Sequence, residues 1–183
     1  MSEPAEEQIE LADLVVRWPD GAEVRIGELV ERPTILVIPR YYGCLPCRDY
    51  LSQVSRRHEE IEAAGAGALG VSVGSDKQAR WLRAEHGISF PLLVDPERRL
   101  HEAIELPRKW WVGLNPKGWA NYAKAISHGE RQGAIIDPNQ LPGLALLDAG
   151  ATARTVYRGR ALGDYPPLSE VLERLGAWPA ELQ

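Results

Sequence analysis

Thr34-Ile35-Leu36-Val37-Ile38 is an unbroken apolar run, with β-branched side chains at Ile35, Val37 and Ile38. Such a run predicts a strand buried on both faces. Ahead of it, Leu14-Val15-Val16-Arg17-Trp18 and Glu23-Val24-Arg25-Ile26 flank Pro19-Asp20-Gly21. Two strand-like runs around a turn triplet predict a β-hairpin. After residue 47 the period lengthens. Leu51, Val54, His58 and Ile61 recur at helical spacing, and Gly65 supplies a stop. Ala68-Leu69-Gly70-Val71-Ser72-Val73 returns to strand character. Ser75 with Gln78 opens a helix as a capping pair, and Gly87 closes it after His86. Phe90-Pro91-Leu92-Leu93-Val94 predicts another strand, and Asp95-Pro96 predicts a helix opening that runs to Leu106. This alternation is the βαβ pattern of a sheet with helices on its faces.

Residues 107–140 break the rhythm with Trp110, Trp111, Trp119 and scattered Gly and Pro. They read as an insertion. Asn115-Pro116 opens one amphipathic helix in it, carried by Trp119, Tyr122, Ala123 and Ile126. Its aromatic residues fit either a lid over a site or a satellite cluster that packs the insertion down. Leu144-Ala145-Leu146-Leu147 and Arg154-Thr155-Val156-Tyr157 then flank Asp148-Ala149-Gly150 as a second antiparallel hairpin. Leu168, Val171, Leu172 and Leu175 mark a last helix before Gly176. The expected organisation is a polar, frayed leader (1–10), one domain (11–176) with the insertion at 107–140, and a tail (177–183).

Composition narrows the function classes. The chain has 183 residues, 26 acidic against 21 basic, for a formal charge of −5. This argues against a nucleic-acid partner, which calls for a basic footprint. No apolar run approaches the roughly 18 residues of a membrane span. The acidic N-terminus carries no apolar signal region, and the expectation is a cytoplasmic protein. An oligomer is compatible with the sequence.

The chain contains two cysteines, Cys44 and Cys47, at the junction between the buried strand and the first helix. A helix N-terminus carries partial positive charge that stabilises a thiolate, the reactive form of cysteine. The two-residue spacing lets one thiol resolve what the other attacks. We assign Cys44 as the attacking thiol, on the expectation that it is the more exposed, and Cys47 as the resolving one. Pro46 falls in the first turn, where its missing N–H costs nothing. Arg40 and Arg48 add positive potential, and Tyr41 and Tyr42 are candidates to line a substrate site, beside a plain packing role. The rival readings are an inert buried pair, a redox sensor, and a zinc site completed by His58, His86, His101 or His128. No cofactor and no metal is expected.

Several segments together resemble the CxxC-containing peroxiredoxin-like proteins of the AhpC/TSA superfamily, which include selenoprotein-like relatives and the animal prostamide/prostaglandin F synthase branch. These segments are Arg40-Tyr41-Tyr42-Gly43-Cys44-Leu45-Pro46-Cys47-Arg48, Val71-Ser72-Val73, Gly87-Ile88-Ser89-Phe90-Pro91-Leu92-Leu93-Val94-Asp95-Pro96, Gln140-Leu141-Pro142-Gly143 and Gly163-Asp164-Tyr165-Pro166. The resemblance implies an α/β, thioredoxin-like fold with a mixed central sheet, helices on both faces, the N-terminal hairpin and the helical insertion. It implies a peroxide or disulfide substrate, and thioredoxin or a similar dithiol as reductant. It also implies a cis Leu141–Pro142 bond packed near Cys44. The chain departs from peroxiredoxins in their Pro-x-x-x-Thr/Ser-x-x-Cys motif. Gly43 stands where the hydroxyl follows Pro39, so the group that would bind peroxide oxygens is missing.

Overall fold

The computed structural model describes residues 5–110 and 112–178, with the side chain of Val112 left out. Eight strands form one mixed sheet: β1 (Ala5–Glu10), β2 (Val15–Arg17), β3 (Glu23–Arg25), β4 (Thr34–Ile38), β5 (Gly67–Ser72), β6 (Leu92–Val94), β7 (Gly143–Leu147) and β8 (Thr152–Arg158). Their order is β1-β8-β7-β4-β5-β6-β2-β3. Strands β4, β5 and β6 run parallel, as βαβ crossovers require, and β7 pairs antiparallel with β4. The helices are α1 (Leu45–Arg56), α2 (His58–Ala63), α3 (Asp76–His86), α4 (Arg99–Ala103), α5 (Pro116–Ser127) and α6 (Leu168–Gly176).

Alternation along β4 divides the core. Ile35 and Val37 face a cluster with Leu51 and Val54 of α1, Leu82 of α3, and Val171 and Leu175 of α6. Leu36 and Ile38 face the opposite cluster, with Leu11, Ile26, Leu100 and Ile104. The central strand is therefore buried on both faces, as its unbroken apolar run requires. This is the thioredoxin-like arrangement with helices on both faces.

Three expectations need correction. Residues 5–10 of the supposed leader form an edge strand. Ala5 stands opposite Val156 and Glu10 opposite Thr152, while Glu7 takes both ends of the Arg158 guanidinium at 2.5 and 2.8 Å. Charges that read as a solvated leader instead line a sheet edge, where they also discourage pairing with other chains. The helix after Cys47 is two helices, because Arg57 leaves helical geometry at φ −104° and ψ 15°. The helix expected at Asp95-Pro96 starts only at Arg99. Asp95 still caps it, accepting from the Arg99 and Leu100 amides at 3.1 and 2.9 Å, but Arg98 adopts a left-handed φ of 64° in between. In the tail, Trp178 packs partly buried against the first cluster, and 179–183 lie outside the described residues.

Candidate active site

The loop after β4 delivers Cys44 as the residue preceding α1 and Cys47 into its first turn, with Pro46 between them. The Cys44 carbonyl accepts the first helical bond, from the Arg48 amide at 2.9 Å. Both cysteines are free thiols and both are fully buried, at 0% exposure. The expectation that Cys44 is the exposed one does not hold: Tyr41, Cys47 and Tyr165 pack around it, and a segment of the insertion bonds to the chain on either side of it, at Gly43 and Leu45.

That segment is a polar strap, residues 130–134. The Gly43 carbonyl accepts from the Gly133 amide and from Gln132 Nε2, both at 2.8 Å. Gln132 Oε1 in turn accepts from the Leu45 amide at 3.3 Å and from the Tyr122 hydroxyl at 3.1 Å. The strap lies so close that a Cβ on Gly133 would stand 2.8 Å from Gly43 Cα. A side chain at either glycine would force the strap off. Helix α1 anchors it through buried charge: Arg48 pairs with Glu130 at 3.3 Å, Ser52 donates to Glu130 at 3.3 Å, and His86 Nδ1 approaches the same carboxylate at 3.3 Å. Trp110 is 80% and Trp119 62% exposed, so neither forms an aromatic lid; Trp119 lies against Tyr122, ring centres 6.1 Å apart, and donates to the Gly113 carbonyl at 2.9 Å, while Trp111 lies outside the described residues.

Arg40 is the electrostatic centre. It is buried, and its guanidinium donates to the carbonyls of Asp137, Pro138 and Gln140. Its Nη1 stands 3.9 Å from Cys44 Sγ, and its Cζ lies over the Tyr41 ring, 5.3 Å from the ring centre. All its hydrogen-bond partners are neutral. A buried cation without a carboxylate is costly unless some anion compensates it. Among the described residues, the group placed to do so is a thiolate of the dithiol.

The two thiols share that role unequally. Burial pushes Cys44 well up, and a negative Cys47 pushes it further. Burial also opposes ionisation of Cys47, but the Cys44 S–H bond, the Arg40 charge and the Tyr165 hydroxyl outweigh it and bring Cys47 down. The directions of the two shifts make Cys47, and not the residue that precedes the helix, the more acidic of the pair. In this closed form ionisation is favoured at Cys47 over Cys44. The pair titrates as a unit.

The tyrosines separate. Tyr41 packs directly against both cysteines, and burial and then the Cys44 charge push its phenol up to about 12. Tyr42 does not line the site. Its hydroxyl is spent inside the core, donating to the Leu93 carbonyl at 2.5 Å, with the Gly70 carbonyl at 3.1 Å. Leu141 packs with Leu162 and Tyr122 beside the strap. Pro142 leads into β7, which pairs with the end of β4 at Ile38 and Gly143. The Leu141–Pro142 bond is trans, contrary to expectation. Arg40 on the Gln140 carbonyl and the Leu141 amide on the Pro107 carbonyl, at 3.1 Å, hold the segment in place and lead it into β7.

Tyr165 escaped the sequence reading. It packs on the dithiol and stacks on Tyr50, rings 4.2 Å apart and 8° from parallel. Its hydroxyl has no aligned partner while the thiols are neutral, which leaves it free for a Cys47 thiolate. The signal was present in Gly163-Asp164-Tyr165-Pro166, but 118 residues of chain separate Tyr165 from Cys47. Only the turn at Gly163, with φ 65° and tight against Pro46, brings them together. Among the described residues no cluster of three or more His, Cys, Asp or Glu side chains is placed to hold a metal, and no helix is long and apolar enough to cross a membrane.

Comparison with known proteins bears on this arrangement directly. The AhpC/TSA family profile matches residues 8–141. The chain belongs to the AhpC/TSA family. Mouse Peroxiredoxin-like 2C is 24% identical over 92% of this chain and 80% of its own length. Peroxiredoxin Q of Xanthomonas campestris superposes with a TM-score of 0.67 at 18% identity, over 91% of this chain and 92% of its own. A secreted disulfide oxidoreductase of Mycobacterium tuberculosis superposes at 0.59 with 14% identity, over 92% and 98%. These likenesses establish the thioredoxin-type fold. Membership of the AhpC/TSA family supports a thiol-dependent redox function of the oxidoreductase type for this chain.

Proposed function

We propose that the protein is a dithiol oxidoreductase that reduces a disulfide through Cys44 and Cys47. The observation that carries this reading is the buried Arg40 guanidinium, 3.9 Å from Cys44 Sγ and without a carboxylate partner. A thiolate supplies the missing anion. Cys44 attacks because it precedes the helix, where movement of the strap uncovers it. Cys47 lies within the first turn beneath Tyr165. The proton Cys44 holds passes to Cys47 across their hydrogen bond as the attack begins. The Cys44 thiolate displaces one sulfur of the substrate as a thiolate and forms a mixed disulfide. Cys47 then attacks Cys44, releases the second thiolate and closes the internal disulfide. Thioredoxin or a similar dithiol donates two electrons to restore both thiols.

Family membership favours a second reading, peroxide reduction. There Cys44 would displace the alcohol or water of the peroxide, become a sulfenic acid, and lose water to Cys47 on closing the same disulfide. Gly43 in place of the peroxide-binding hydroxyl supports the first reading over the second. Steady-state turnover with thioredoxin as reductant separates them. Disulfide turnover should exceed hydrogen peroxide turnover by at least about tenfold. The reverse order would make peroxide the substrate class.

Tyr165→Phe tests the hydroxyl without disturbing the stack on Tyr50. A hydrogen bond to an ion contributes about 1.5–3 kcal/mol, so the attack of Cys47 on the mixed disulfide, the step in which Cys47 is the nucleophile, is expected to slow about tenfold at pH 7. Rate rises with pH as the thiolate forms, and the variant's rise should move to higher pH. An unmoved profile would show that the hydroxyl takes no part.

A further inference from the structure

Next to the dithiol, on the side of α1 facing α5 and α6, lies a groove of about 500 Å³. It is separate from the strap. Its floor holds Pro46, Tyr50 and Tyr165, so the wall between groove and sulfurs is one side chain thick. Its rim carries Arg56 from α1 and Lys124 from α5, both exposed and neither with a carboxylate partner among the described residues. The other charged groups at the rim are already spoken for. Asp49 is held by Gln53 at 2.8 Å and His128 at 2.7 Å, and Arg57 by Glu60 at 2.6 Å. The N-terminus of α6 also opens here, capped by Pro167 with no side-chain hydrogen bond. Two free cations and uncapped amides form a carboxylate-binding environment in a chain whose net charge is −5.

We propose that this groove seats the carboxylates of a small anionic disulfide, with its sulfurs directed over Pro46 toward Cys44 once the strap has moved. The inference rests on the disulfide-exchange reading and names its substrate class. The balance is that of the reaction above. One disulfide takes two electrons and two protons from the dithiol and leaves as two thiols, and the protein is left as the Cys44–Cys47 disulfide.

The test mixes reduced protein with glutathione disulfide, neutral hydroxyethyl disulfide and cationic cystamine, following tryptophan fluorescence and thiol loss. Intrinsic reactivity cancels when each rate constant is divided by that of wild type. Arg56→Glu/Lys124→Glu should lower the ratio of glutathione disulfide to hydroxyethyl disulfide by about tenfold or more, and should favour cystamine. Lys77→Glu/Arg83→Glu on exposed α3 makes the same change in net charge and should move the ratio by less than about threefold. Equal loss in both double variants, or none in the groove variant, would overturn the groove while leaving disulfide exchange standing. If none of the three disulfides oxidises the dithiol, the exchange reading falls, and the groove proposal with it.

Discussion

Cys44→Ser is expected to slow oxidation of the reduced protein by at least about a thousandfold, because it removes the attacking sulfur and with it the chemical step. Cys47→Ser should behave differently. Its first oxidation should proceed within about tenfold of wild type, and the protein should then stall as a Cys44 mixed disulfide or sulfenic acid. The asymmetry is informative because acidity and position point to different sulfurs. In the closed form Cys47 is the thiol that ionises first, held by Cys44, Arg40 and Tyr165. Position favours Cys44, which precedes the helix under a strap that can move. Intact-mass measurement of the trapped adduct decides between them. An adduct on Cys47 in the Cys44→Ser protein, formed at near wild-type rate, would reverse the roles.

Arg40→Met is expected to slow oxidation at pH 7 by about tenfold to a hundredfold. Two unit charges 4 Å apart at an effective dielectric of about 20 interact by roughly 4 kcal/mol, and water entering the truncated site screens part of that. The sign follows from the reactive species. Thiolate reacts, the guanidinium favours thiolate, and losing it moves the rise of rate with pH to higher pH. Arg40 also ties down three carbonyls of residues 137–140, so the variant should lose stability as well. The pH profile separates the two effects. A uniformly slower enzyme with an unmoved profile would mean that Arg40 only holds the loop. Arg40→Lys should keep more of the profile than Arg40→Met, since it restores the charge but not the three-way fork.

Local pattern carried much of this architecture. The unbroken run at β4, the Pro-Asp-Gly hairpin, the Ser75 cap and the CxxC at a strand-to-helix junction are each readable within a few residues. Long-range contacts were not. Glu6, Glu7 and Glu10 look like a solvated leader until Arg174, Arg158 and Thr152 are placed opposite them. Tyr42 looks like a site residue beside Cys44, yet its hydroxyl turns inward to the Leu93 carbonyl. The strap at 130–134 has no periodicity to announce it, and the contacts that hold it are long-range, among them the buried pair of Arg48 with Glu130, 82 residues apart. Tyr165 belongs to the same class. Proximity across more than a hundred residues is set by topology, and a local pattern does not contain it.

The most direct test is to oxidise the reduced protein with one equivalent of hydroxyethyl disulfide, alkylate the remaining thiols and map the peptides without reduction. The account predicts loss of two thiols per chain, a linked Cys44–Cys47 peptide within one molecule, and full recovery of both thiols with thioredoxin. Two unmodified, alkylatable cysteines after that treatment would contradict it, as would a link only between separate chains.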